Sequence, residues 1–333
     1  MWKNRVVLAA AVVCAAVVGL SGCSVPESAA PDAGSTQSSG GGSGSKLLGI
    51  VTISATDANN ARVIEGATEA AEAAGWTVEV VDAAGNADQA NTAIQNFVNK
   101  DAGMVFNLVF PATSLGAGLS AASQAEIPVA TWGGGPGDGI VVVAGDGAPF
   151  AEPATQALID ALDGEGEVLA LTYRTGQVCR DREALFDEMM AEQAPDVTIT
   201  KNEVNIPGFL QDGARYANAW LAANPEGSGN LAVWGCWEDP TLGAISSIKQ
   251  QGRTDVLTYG INGSSTAIKA VQDGDLTATV FEDARAEGRT MFEETLAAIE
   301  SGDFSSRTVD VPGILVTADT IDDFLAEHPE ALD

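Results

Sequence analysis

The chain has 333 residues, with 46 Asp and Glu against 16 Lys and Arg and a formal net charge of −30 at pH 7. So acidic a surface repels nucleic acid and anionic lipid headgroups, which excludes either as a principal partner. The single histidine, His328, lies near the C-terminus. That argues against a Ser-His-Asp triad, a His-ligated metal or a histidine general base.

At the N-terminus Lys3 and Arg5 precede an almost purely apolar run over residues 6–18, and Leu20-Ser21-Gly22-Cys23 follows. The run is too short to span a bilayer stably, which favours a cleaved signal. The tetrapeptide resembles the lipobox of bacterial lipoproteins. The resemblance implies a signal peptide over 1–22, with Cys23 lipidated as the first residue of the mature protein; a plain secretory signal or a short anchor is the alternative. The body is then expected outside the cytoplasm, held at the cell membrane by acyl chains. Residues 23–45 are Ser-, Gly-, Pro- and Ala-rich and read as a flexible spacer. The folded part is expected from Lys46, and roughly 285 residues suffice for two lobes with real cores. No apolar run of membrane length follows residue 23.

From Lys46 the pattern alternates. Strands are expected over 47–53, 77–82, 104–109, 127–131 and 140–144, with helices over 61–74, 87–99 and 114–125 between them. Gly75 suits the end of the first helix. The pattern then restarts. Helices are expected over 150–162, 182–192, 212–223, 241–251 and 266–273, interleaved with strands over 168–173, 197–204, 231–234, 256–261 and 278–281. A long helix over 288–299 follows. Strand–helix alternation with short connections indicates parallel sheets covered on both faces, hence two successive doubly wound α/β units.

Gly66-Ala67, Ala73-Ala74-Gly75-Trp76, Ile127-Pro128-Val129, Leu242-Gly243-Ala244, Tyr259-Gly260-Ile261-Asn262-Gly263 and Ala270-Val271-Gln272-Asp273-Gly274 occur in this order. Together they resemble the type I periplasmic sugar-binding proteins, the ribose-binding-protein-like family. The resemblance spans residues 47–316. It implies two parallel-sheet lobes joined by three crossovers, with the ligand cleft between them. Lobe one would be 46–148 plus 283–311, and lobe two 149–282 plus 312–333. The third crossing would make Gly313-Ile314-Leu315-Val316 a late strand.

Doubly wound sheets present ligands at the C-terminal strand ends. After the first strand stand Asp57, Asn59 and Asn60, as hydroxyl partners or, for Asp57, a helix N-cap. Trp132 follows the fourth strand, as a flat ligand face or a core residue; Gly133-Gly134 replace the Asp-Arg pair of the ribose-type pocket. In lobe two the resemblance assigns ligand contacts to Arg180, Phe209, Asn262 and Glu282, and Trp237 stands at a polar position of the family. Their alternatives are a surface salt bridge for Arg180, plain packing for Phe209, a turn for Asn262 and a hinge carboxylate for Glu282; Glu238 is a further candidate acceptor. Acceptors with flat aromatic faces suit a neutral polyhydroxyl compound or a small cation, not a phosphate or dicarboxylate.

Cys14 leaves with the signal and Cys23 takes lipid, so Cys179 and Cys236 remain in an oxidising compartment. A 2-1-3-4-5 strand order would set them beside each other at the C-terminal sheet edge, as a disulfide or as two buried thiols.

No G-x-S-x-G, phosphate loop or metal-ligand spacing occurs, and Gly133-Gly134-Gly135 is not a dinucleotide fingerprint. An enzyme is not expected, nor any cofactor or metal. The expectation is a monomeric, lipid-anchored solute-binding protein that captures a sugar or polyol and delivers it to ABC permease subunits. The alternative is a sensory binding protein for a small cationic or other polar ligand.

Overall fold

The computed structural model describes residues 45–145, 147–309 and 312–332. The signal segment 1–22, Cys23 and the spacer up to residue 44 lie outside the described residues. Ser45, expected in the spacer, instead opens the first strand, its main-chain N–H donating to Asp101 O.

Two six-stranded sheets carry the fold. The first contains β1 (Ser45–Thr52), β2 (Thr77–Asp82), β3 (Ala102–Leu108), β4 (Val129–Trp132) and β5 (Ile140–Ala144), in the order β2-β1-β3-β4-β5. The second contains β6 (Glu167–Thr172), β7 (Thr198–Glu203), β8 (Leu231–Gly235), β9 (Val256–Asn262) and β10 (Ala278–Phe281), in the order β7-β6-β8-β9-β10. Each gains a late edge strand: β11 (Arg307–Val309) pairs parallel with β5, and β12 (Ile314–Thr317) pairs antiparallel with β10. The remaining ladders are parallel. Helices on both faces explain why β8 is buried at every residue and reads as a continuous apolar run.

Helices α1 (Ala58–Ala73), α2 (Ala87–Asn99) and α3 (Gly116–Gln124) cover the first sheet. Helices α4 (Gly147–Leu162), α5 (Gln177–Gln193), α6 (Phe209–Ala223), α7 (Glu238–Gln250) and α8 (Ser265–Gln272) cover the second. Then α9 (Ala284–Ser301) returns to pack on α1, and α10 (Ile321–Glu327) packs on β12 ahead of a 3-10 turn, Pro329–Leu332. Asp57, Asn86, Ser264 and Asp283 each accept a main-chain N–H in the first turn of α1, α2, α8 and α9, so side-chain caps start these helices.

Both lobes use one device to bring two helices into backbone contact. A Cβ on Gly66 of α1 would sit 1.9 Å from Arg285 O of α9, and one on Gly213 of α6 would sit 2.0 Å from Pro240 O of α7. Any side chain there would separate the helix axes.

The two-lobe α/β architecture and the 2-1-3-4-5 order agree with the sequence reading. The chain passes between the sheets after β5, after β10 and again between β11 and β12. Element edges differ. The expected helix over 114–125 divides into a 3-10 turn, Ala112–Ser114, and α3; α5 starts five residues earlier than expected and α9 four. Neither β11 nor α10 was anticipated, since both are short and follow the last clear periodic segment.

Candidate functional site

One cavity lies where the C-terminal strand ends of the two sheets face each other. Its first-lobe wall is Ile53 after β1, Asp57 and Asn60 at the start of α1, Val109 after β3, and Trp132 closing β4. Its second-lobe wall includes Tyr173 after β6, Val178, Cys179 and Arg182 of α5, Ile206 before α6, Trp237 after β8, and Asn262 closing β9. The lobes touch around it. Gln177 N donates to Val109 O at 3.2 Å, and a Cβ on Gly133 (φ +64°) would meet Val178 Cγ2 at 2.2 Å. The absence of a side chain at 133 is what allows this approach.

Asp57 is the N-cap of α1 and also stands on the cavity wall. Its Oδ1 accepts Asn60 N at 2.9 Å. Asn60 donates Nδ2 to Ser54 O at 2.9 Å, which leaves Oδ1 buried with no donor. Asn59 is not on the wall; it turns back and donates Nδ2 to Glu282 Oε2 at 2.8 Å. Trp132 is both buried and a wall residue, with its indole Nε1 donating to Glu287 Oε2 at 2.5 Å.

Trp237 lines the cavity, and Phe209 packs against its ring without being on the wall. The Phe209 and Trp237 centroids are 5.7 Å apart at an edge-on angle of 65°, and Tyr173 braces the same indole at 6.2 Å. The Trp237 N–H neighbours the Asp239 carboxyl without completing a hydrogen bond, and is buried without a partner.

Arg180 does not reach this cavity. Its guanidinium turns along the helix to Gln177 Oε1. Because α5 starts at Gln177, helical spacing puts Val178, Cys179 and Arg182 on the inner face and Arg180 off it. The site cation is therefore Arg182, 2% exposed. Its Nε donates to Gly147 O, and its Nη1 donates to Cys236 O at 2.9 Å and Asn262 Oδ1 at 2.8 Å. Its Nη2 lies 3.5 Å from Glu282 Oε2. Glu282 thus sits behind the wall, at the second crossover, as the counter-charge of Arg182.

Two wall residues carry backbone strain. Val109 has φ +76° and Asn262 has φ +115°, in a region favourable to glycine. For a β-branched residue this is a marked outlier, and such strain collects where a site demands a set geometry. Main-chain bonds to Trp132 O and from Glu282 N hold the two residues in place.

The Cys179–Cys236 disulfide is formed, with Cα atoms 5.3 Å apart, between the start of α5 and the end of β8. Strands β6 and β8 are neighbours, which is why the two cysteines meet. The bond fixes Cys179, a wall residue, against the carbonyl that receives Arg182 and against Trp237, the next residue.

Sequence reasoning missed Arg182, Tyr173 and Glu287. Glu287, on α9, joins the Trp132 indole to the Glu282 carboxyl. Burial, then the Glu282 charge, pushes its carboxyl up to about 10, so it is protonated. Burial likewise raises Asp57, against the pull of main-chain N–H groups and Arg182. Burial and nearby carboxylates push Glu238 up to about 8 and Asp239 to about 7. Glu238 accepts Gly263 N and Ser264 N and so caps α8 from outside the wall. Among the described residues no group of His, Cys, Asp and Glu has metal-holding geometry.

Comparison with known proteins agrees with this geometry. The chain is 26% identical over 178 residues to a Rhizobium meliloti protein named for rhizopine binding, spanning 52% of this chain and 56% of that protein. It is 26% identical over 223 residues to the ribose import binding protein of Escherichia coli K12, spanning 65% of this chain and 72% of that protein. An ABC transporter solute-binding protein of Agrobacterium vitis, solved with allitol bound, shares the fold at a TM-score of 0.78 and 24% identity, over 85% of this chain and 99% of that one. A Bacillus halodurans solute-binding protein holding myo-inositol does so at 0.75 and 20%, over 86% and 99%. Residues 48–303 match the periplasmic binding protein domain, and the chain belongs to that family of binding proteins rather than to any family of enzymes.

Proposed function

We propose that this chain is the capture component of an ABC importer for a small polyhydroxyl ligand, a sugar or a polyol. The observation that carries the reading is a pair of buried, unsatisfied groups on one cavity. Asn60 Oδ1 is an acceptor without a donor, and Trp237 Nε1 completes no hydrogen bond, with the Asp239 carboxyl beside it. An unsatisfied buried group costs about 1–3 kcal/mol, and a ligand hydroxyl both donates and accepts. Indole faces of Trp132 and Trp237 suit the C–H face of such a compound. The named ligands of the relatives and fold neighbours are sugars and polyols for the most part, which supports the same class.

In this reading Asp57, Asn60, Trp132, Arg182, Trp237 and Asn262 contact the ligand. Asn59, Phe209 and Glu282 position them. The signal at 1–22 sends the chain out of the cytoplasm, Cys23 carries the lipid, and a monomeric body is presented to the permease by a spacer. The lobes, 46–148 with 283–311 and 149–282 with 312–333, close on the ligand about their three crossovers.

A thermal-shift screen of sugars, polyols and small amines tests the proposal. Ligand at 100 times its dissociation constant stabilises the folded state by about 2.7 kcal/mol. A hit that also compacts the protein in small-angle scattering supports capture by closure. No shift with any sugar or polyol overturns the polyhydroxyl reading.

A further inference from the structure

The charges around the cavity do not balance. On the wall itself stand one carboxylate, Asp57, and one cation, Arg182. Arg182 is already engaged: all three guanidinium nitrogens have protein partners, and its charge faces Glu282 at 3.5 Å. Asp57 uses Oδ1 to cap α1, and the cation that acts on it is the same Arg182 that is already paired with Glu282. The Asp57 charge is also felt by Glu238 and Asp239, whose carboxyls burial, and then nearby acids, raise. This corner of the site carries more acid than base.

A second observation is independent of charge. Asn60 is 2% exposed and follows Asp57 by three residues on the same wall. Its Nδ2 is fixed on Ser54 O, so the atom left without a partner is the oxygen, an acceptor. Asp57 and Asn60 together offer acceptors in a corner where the donors to Asp57 are main-chain N–H groups at the start of α1 and Asn60 Oδ1 has none. A neutral hydroxyl donates once. A primary ammonium donates three times and brings the missing charge. Trp132 and Trp237 line the same cavity, and an indole face attracts a cation.

We infer that the site selects a protonated amine on its polyhydroxyl ligand, with Asp57 as the carboxylate that receives the ammonium and Asn60 Oδ1 as its second acceptor. This rests on the polyhydroxyl reading and narrows it to amino sugars and amino polyols.

Matched pairs test it on the full chain: sorbitol against glucamine, and glucose against glucosamine, by calorimetry at neutral pH. The amine of at least one pair is expected to bind at least tenfold more tightly than its neutral partner. Asp57→Asn keeps a good N-cap residue, so the fold is retained, and it brings that ratio towards one. Equal or tighter binding of the neutral partners overturns the amine inference while leaving the polyhydroxyl reading in place. A tenfold preference that survives Asp57→Asn overturns the assignment to Asp57. Absence of binding by all four compounds counts against both readings together.

Discussion

Arg182 and Glu282 form an ion pair sealed inside the protein, Nη2 to Oε2 at 3.5 Å with side chains 2% and 0% exposed. One stands on the inner face of α5 and the other at the crossover after β10, so the pair ties α5 to that crossover. Burial lowers the guanidinium pKa and raises the carboxyl pKa, and each charge offsets the loss for the other. Removing one partner leaves the other uncompensated. Arg182→Ala is expected to cost about 3–5 kcal/mol of stability, read by urea unfolding. A loss below about 1 kcal/mol would mean that Glu282 is neutral in the folded protein and the pair contributes no charge.

The carboxyl of Glu287 gives stability a pH dependence of definite sign. Its folded value is pushed up to about 10, chiefly by burial and then by Glu282, from an ordinary 4.5. Between those values the folded chain holds a proton that the unfolded chain releases. This contribution is complete below about pH 4.5 and is lost as the pH rises through 10. Glu238 and Asp239, raised mainly by burial to about 8 and 7, act in the same direction. Glu69 and Asp255, held low by Arg285 and Arg253, act oppositely but only near and below their ordinary carboxylate range. The melting temperature is therefore expected to fall from about pH 6 to about pH 9. Glu287→Gln mimics the protonated acid, and it is expected to flatten that slope. An equal slope in the variant would place the titration elsewhere.

Strand order and the disulfide were legible because both follow from alternation of short apolar runs with helices. Once β6 and β8 are neighbours, Cys179 and Cys236 fall at one sheet edge. Arg182 was not legible, and the reason is local. Helix α5 is capped by Gly176, which has no side-chain acceptor, so no Ser, Asp or Asn marks its start. Gln177-Val178-Cys179-Arg180-Asp181 then reads as a polar loop, and a helix begun too late cannot tell the inner face from the outer. Glu287 fails differently. An acid in the first turn of a helix reads as solvent-facing, favourable to the dipole. Its partner Trp132 is 155 residues away in sequence, so only the fold brings them together.

Reduction of the disulfide is expected to lower stability and affinity together. The bond closes a loop with a sequence separation of 57 residues. In the chain-entropy model that constraint stabilises the fold by about 4 kcal/mol. Cys179 lines the cavity and Cys236 O receives Arg182, so loosening either cysteine also disturbs the wall. Non-reducing peptide mapping should recover the Cys179–Cys236 pair from the oxidised protein. Cys179→Ser with Cys236→Ser should lower the unfolding midpoint and weaken ligand binding. Unchanged affinity in the double variant would reduce the bond to a stability element alone.

Trp237 is the wall residue whose substitution is expected to cost the most affinity at the least ambiguity. It follows a cysteine anchored by the disulfide, and Phe209 and Tyr173 brace its ring edge-on at 5.7 and 6.2 Å. A large face held this rigidly loses little entropy on binding, so its contact with a ligand is worth on the order of 1–2 kcal/mol or more. Trp237→Ala should weaken binding by at least about tenfold, measured by calorimetry with the tightest sugar or polyol of the thermal screen. Trp237→Phe separates the two contributions, since it keeps a ring for stacking and removes the unpartnered N–H. It is expected to fall between the wild type and the alanine variant. If both variants bind normally and only unfold more easily, Trp237 is a packing residue and the ligand lies against Trp132 instead.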